Sequence, residues 1–279
     1  MKTKEELVKI FEVTLEAIRV GGYENMKGDW VDLEQEDLKQ GSKFYVTTPA
    51  LQTSRLPTYD TRVYVVNRDT FQEARSMGPD CAVLNMASFS SPGGGVIFGA
   101  RAQEEELCRR SNLYLSLSKY DPRSYKLGEW DEPDKTYHYP IPVFGGIYSP
   151  KVSVFRSVLS YSFIDSPFQC NVISVPAVKK PEIDSKTGDM ISKYEAIMCG
   201  KIRAIFRIAL RNNIYKLVLG AMGCGAYGCP PKHVARLFKK VLEEKEFRGK
   251  FKEICFAIID DAKKQNLRTF REIFWDAYN

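Results

Sequence analysis

What most constrains this chain is a repeated succession of two patterns. A short, nearly uncharged run comes first, and a segment with apolar residues at helical spacing follows it. Cys81-Ala82-Val83-Leu84-Asn85-Met86, Asn171-Val172-Ile173-Ser174-Val175, Lys216-Leu217-Val218-Leu219 and Ile254-Cys255-Phe256-Ala257-Ile258-Ile259 are runs of the first kind. They are too short for ordinary helices and apolar almost throughout, as strands buried on both faces are. After the second and third come stripes at helical spacing: Met198, Ile202, Ile205, Phe206, Ala209 and Leu210, then Val234, Leu237, Phe238, Val241 and Leu242. These read as amphipathic helices. Strand and helix in alternation predict an α/β domain with a largely parallel sheet, helices on both faces, and a ligand crevice at the carboxyl ends of the strands.

The flanks fit the same plan. Leu7, Ile10, Phe11, Leu15 and Ile18 predict an N-terminal helix that stops before Gly21-Gly22. Residues 43–46 and 62–66 read as strands, 70–77 as a short helix and 102–118 as a single helix. Between 120 and 148 the composition shifts to Tyr, Trp, Pro and charge without a period, which predicts a surface excursion or lid. Residues 1–40 are expected to form a helical extension packed on a single domain of residues 41–279.

Composition excludes several function classes. Of the 279 residues, 44% are hydrophobic and 27% charged, and no window approaches the roughly 18 unbroken apolar residues of a membrane span. The N-terminus lacks the apolar core of a secretory signal, so a soluble cytoplasmic protein is expected. Seven scattered cysteines show no paired zinc spacing, and two distant histidines, His138 and His233, give little material for a metal centre or a histidine-based catalytic pair. No metal is expected, and the chemistry must lean on carboxylates. The net charge of +6 is spread along the chain, so direct nucleic-acid binding is not predicted.

Two of the buried runs deliver the chain into glycine loops. The first runs Ala87-Ser88-Phe89-Ser90-Ser91-Pro92-Gly93-Gly94-Gly95-Val96, and the second Gly220-Ala221-Met222-Gly223-Cys224-Gly225-Ala226-Tyr227-Gly228. Loops without side chains can present backbone N–H groups to a phosphate, and two in one sheet can converge on a single diphosphate. Gly223, Gly225 and Gly228 also fit a dinucleotide fingerprint, but only 51 residues follow Gly228, too few for the remaining strands of that fold. Tyr227, at the tip of the second loop, can lay its ring against a sugar.

Past the triple glycine stands the run Gln103-Glu104-Glu105-Glu106. Acidic residues in a first helical turn complement the helix dipole, so their presence alone decides nothing. Spacing separates them. Glu106 precedes Arg109 and Arg110 by three and four residues and reads as part of a solvent-side charge cluster. Glu104 and Glu105 lean toward Leu107 and Cys108, where burial would raise a carboxyl pKa toward the range of a general acid. Spacing does not choose between these two.

The pattern Gly93-Gly94-Gly95, seven residues, Gln103-Glu104-Glu105 resembles the signature of the bacterial-type poly(ADP-ribose) glycohydrolases, a branch of the macrodomains. The similarity extends over residues 60–262 through Val66-Asn67, Leu84-Asn85-Met86-Ala87-Ser88, Leu107-Cys108-Arg109-Arg110-Ser111, Ile147-Tyr148-Ser149-Pro150 and Leu219-Gly220-Ala221-Met222-Gly223-Cys224-Gly225. The resemblance implies a three-layer α/β/α macrodomain with a mixed sheet, no metal or cofactor, and hydrolysis of ribose–ribose bonds at poly(ADP-ribose) ends or of related mono-ADP-ribosyl linkages. It implies Glu105 as the catalytic acid, Glu104 and Asn85 as residues orienting the ribose, and Gln103 as a ligand contact. Gly93, Gly94, Gly95 and Val96 would hold the diphosphate with Gly223, Cys224, Gly225 and Ala226, and Tyr227 would flank the ribose. The resemblance also implies Asp69 as the adenine contact. Met86 and Met222 stand where the family often has bulkier aromatics. ADP-ribose, its polymer and ADP-ribosylated macromolecules are the implied partners of a monomer, and a non-catalytic ADP-ribose reader is the alternative.

Overall fold

The computed structural model describes residues 2–124, 133–259 and 265–275. α1 (Lys4–Val20) begins at a capping box, in which Thr3 and Glu6 satisfy each other's backbone N–H, and ends at Gly21 in the left-handed region. A small antiparallel pair, β1 (Gly22–Glu24) and β2 (Trp30–Asp32), follows, then α2 (Glu36–Gly41) and β3 (Lys43–Tyr45). β4 (Arg62–Val66), α3 (Thr70–Met77) and β5 (Cys81–Asn85) lead into the first glycine loop. Next come α4 (Gln103–Arg110), α5 (Leu113–Ser118), and the long strands β6 (Gly146–Arg156) and β7 (Phe163–Ser174). α6 (Ser192–Arg211), β8 (Lys216–Leu219), α7 (Pro231–Leu242), β9 (Glu253–Ala257) and α8 (Asn266–Trp275) complete the described chain.

Seven strands form one sheet in the order β3-β6-β7-β5-β8-β9-β4. β7, β5, β8, β9 and β4 run parallel, while β6 is antiparallel to both β7 and β3. Strand alternation divides the core in two. Ala82, Leu84, Ile173, Leu217, Leu219, Ile254 and Phe256 pack against α6, α7 and α8. Cys81, Val83, Cys170, Val172, Val218 and Cys255 pack against α1, α3, α4 and α5. The result is a three-layer α/β/α fold with a mixed, largely parallel sheet: the alternation predicts the parallel strands and the helices on both faces, and the mixed character is what the resemblance implies. No helix among the described residues is long and apolar enough to cross a membrane.

Two expectations need correction. The single helix over 102–118 is broken at Ser111-Asn112, because there the chain bonds β6 instead of continuing its own helix. Ser111 bridges Val154, the Asn112 N–H donates to the Ser153 carbonyl, and the Asn112 side-chain oxygen accepts the Ser153 N–H at 2.8 Å. The excursion expected over 120–148 ends at Gly146, where β6 begins, and its residues 125–132 lie outside the described residues. β6 escapes the sequence pattern because Pro150 and Lys151 interrupt it. The ladder accommodates them by shifting register between Ser149 and Val152.

Candidate active site

The carboxyl end of β5 sets the site. Asn85, its last residue, is fully buried and donates through Nδ2 to Ser174 Oγ at 3.0 Å and to Glu104 Oε1 at 3.2 Å. Its Oδ1 has no partner among the described residues. Gln103 ties α4 to the same strand end: Nε2 donates to the Leu84 carbonyl at 2.7 Å, and Oε1 accepts the Met86 N–H at 2.8 Å. Gln103 borders the cavity described below, but its amide group braces backbone.

Glu104 and Glu105 are buried at 3% and 7% exposure, as their lean toward Leu107 and Cys108 predicts. Glu104 Oε2 accepts the Ser88 N–H at 2.7 Å, and the Gly93 N–H adds a further donor to that carboxyl. Glu105 Oε1 accepts the Gly95 N–H at 2.9 Å, and Oε2 accepts the Ala102 N–H at 3.0 Å. Burial pushes the Glu104 carboxyl up to about 8; the donors from Ser88, Asn85 and Gly93 oppose this, and the neighbouring Glu105 charge adds to it. Burial thus favours the neutral form of Glu104.

The triple glycine is shaped around these carboxyls. At Gly94, φ is +57°, and a Cβ there would lie 2.6 Å from Glu105 Oε1 and 3.0 Å from Glu104 Oε2. Only glycine combines that conformation with that approach. The loop's amides already have acceptors: Gly93 and Gly95 serve the two glutamates, Gly94 donates to the Ser91 carbonyl, and Val96 to the Gly93 carbonyl. The open nest of amides expected here lies instead in the second loop. There the N–H groups of Gly225, Ala226 and Tyr227 have no acceptor among the described residues. Three successive amides without a protein acceptor are free to receive an anion.

Both loops and both glutamates face one cavity of about 680 Å³, bordered by Gly94, Gly95, Gln103, Glu104, Glu105, Gly223, Gly225, Ala226 and Tyr227, a volume suited to a nucleotide-sized ligand. Tyr227 is half-buried, with Lys179 Nζ 5.9 Å from its ring centroid. Asn85, Gly93, Val96 and Cys224 are not among the residues that border the cavity. Val96 is fully buried, and the Cys224 side chain is buried with its thiol pushed well up by desolvation. Asp69 is occupied structurally. It caps α3 through Oδ1 and pairs with Arg110 through Oδ2 at 2.9 Å. Glu106 pairs with Arg109 at 2.8 Å and accepts the Tyr161 hydroxyl at 2.7 Å. Ser88, Ala102 and Ser174 complete the site through two backbone amides and a hydroxyl behind Asn85, contacts that carry no sequence pattern.

A mixed, largely parallel sheet with two buried carboxyls and a glycine loop of open amides around one cavity at its strand ends offers acid/base groups beside a place for an anionic ligand. The comparisons narrow the class. A family model described as the microbial-type PARG catalytic domain matches residues 12–157, a stretch that includes Asn85, the triple glycine and both glutamates. The chain belongs to this family. Among solved structures it is similar to the poly(ADP-ribose) glycohydrolase of Thermomonospora curvata bound to the inhibitor ADP-HPD, at 28% identity and a TM-score of 0.77 over 96% of this chain and 99% of that one. It is also similar to the poly(ADP-ribose) glycohydrolase of Deinococcus radiodurans in complex with ADP-ribose, at 28% identity and a TM-score of 0.67 over 87% and 97%. No curated protein gives a significant match.

Proposed function

We propose that this macrodomain-type chain is an ADP-ribose glycohydrolase that cleaves the ribose–ribose bond at poly(ADP-ribose) ends, with related mono-ADP-ribosyl linkages as a second substrate class. One observation carries the reading: two buried carboxyls, each held by amides of the triple-glycine loop, face the same cavity as the open amides of Gly225, Ala226 and Tyr227. A phosphate reader needs the amides but has no use for the paired acids. The relatives from T. curvata and D. radiodurans hold the inhibitor ADP-HPD and ADP-ribose, which fits the same cavity chemistry.

In this scheme the diphosphate of the terminal unit lies on the second loop, and its ribose reaches the glutamates with Tyr227 alongside. Glu104, braced by Asn85, fixes the ribose hydroxyls. Glu105 protonates the departing ribose oxygen, which leaves with the electrons of the broken bond. Water then adds to the anomeric carbon and returns its proton to Glu105, restoring the acid. We assign residues 1–40 as an extension packed on the catalytic domain of residues 41–279, and the protein as a cytoplasmic monomer acting on ADP-ribosylated macromolecules. Purified protein incubated with poly(ADP-ribose) is expected to release free ADP-ribose, read by chromatography. Tight binding of ADP-ribose with no release from polymeric or mono-modified substrates would make the chain a reader instead.

A further inference from the structure

Arg101 stands apart from the other arginines of the site region. Arg109 and Arg110 are buried and paired with Glu106 and Asp69. Arg101 is exposed, borders the cavity, and has no ion pair or hydrogen bond with any described residue. A long cation left unpaired at a cavity mouth is a ready contact for a phosphate, because guanidinium forms charge-assisted, bidentate bonds with phosphate oxygens. Its backbone is not loose: Arg109 Nη2 donates to the carbonyl of Ala100, and the Ala102 N–H bonds Glu105 Oε2. Arg101 is thus held between two anchored residues, four positions before Glu105 and just ahead of the start of α4.

The second glycine loop borders the same cavity. The open amides of Gly225, Ala226 and Tyr227 lie there, with Lys179 over the Tyr227 ring. A terminal unit whose diphosphate sits on those amides places its anomeric carbon at the glutamates. The chain beyond the cut bond then leaves past the start of α4. The first anion on that side is the diphosphate of the next unit, one ribose ring from the scissile oxygen.

We propose that Arg101 binds the diphosphate of the unit on the leaving side of the cut bond, making it a determinant of preference for polymer over a single ADP-ribosyl group. The assignment rests on the glycohydrolase reading, and the test keeps the two apart. Wild-type turnover of poly(ADP-ribose) tests the reading itself, and only the Arg101 variants test the assignment. Arg101→Ala is expected to raise KM for polymer about tenfold, the scale of a charge-assisted contact, with kcat and Tm close to wild type. The Kd for free ADP-ribose, which has no leaving-side unit, is expected to stay unchanged, and the salt dependence of KM to become shallower. Arg101→Lys should recover part of the loss. Lys179→Ala is the control for the second loop and should weaken free ADP-ribose. An unchanged polymer KM in Arg101→Ala, or an ADP-ribose Kd that rises by the same factor as KM, would overturn the assignment.

Discussion

At the scale of single residues, the two carboxyls differ in what holds them. Glu105 is bound by the amides of Gly95 and Ala102, whereas Glu104 also takes a side-chain donor, Asn85, and carries the raised pKa. A carboxyl raised in the folded state from the usual range to about 8 contributes stability that is fully present below that usual range and is lost as pH rises through about 8. The Tm of wild type should therefore fall relative to Glu104→Gln between pH 5 and 9, followed by differential scanning fluorimetry; parallel curves would place the raised carboxyl elsewhere. Gly94→Ala adds a Cβ into the Glu105 carboxylate at a positive φ. It should cost about 1–3 kcal/mol of stability and lower kcat sharply, as urea melts and initial rates would show. The burial of Glu104 and Glu105 was legible from their three- and four-residue offsets to Leu107 and Cys108. The use of Gly93 and Gly95 amides to cradle them was not, because hydrogen-bond direction in a loop depends on tertiary placement of α4 and leaves no periodicity.

Elements bring these residues together, and the break between α4 and α5 shows how. A continuous helix over 102–118 is what local spacing favours, but Asn112 replaces helical bonding with a two-way bond to Ser153 in β6. Removing its side chain in Asn112→Ala leaves a buried Ser153 N–H without an acceptor. A loss of about 1–3 kcal/mol is expected, measured by chemical denaturation, with kcat little changed; a neutral substitution would mean that the break is fixed by other contacts. The parallel strands β5, β8 and β9 were readable because burial on both faces makes their sequences apolar throughout. β6 was not, since Pro150 and Lys151 occupy a register shift that only the partner strand explains. The same limit applies to Gln103. Its place beside the acids was evident, but its bracing of Leu84 and Met86 follows from how close α4 approaches β5.

For the whole molecule, the site depends on the helical layer that α1 shares with α4 and α5. α1 packs Phe11 edge-on against Tyr114 at 5.1 Å, and Thr14 donates to the Arg109 carbonyl at 2.7 Å while accepting from Arg156. A chain reduced to residues 41–279 should therefore lose its cooperative melt, and Phe11→Ala should cost about 3–5 kcal/mol. A truncated chain melting at the wild-type temperature would show that the extension is dispensable. The layered architecture followed from alternation alone, whereas the position of α1 against α4 required the folded chain. The central claim is that one carboxyl of the acidic run carries the chemistry in a cavity that binds ADP-ribose independently of it. Its most direct test is Glu105→Gln, assayed for release of ADP-ribose from poly(ADP-ribose) and for the Tm shift on adding ADP-ribose. Abolished release with the ligand-induced rise in Tm preserved is the predicted result, and undiminished release from the Gln variant would contradict it.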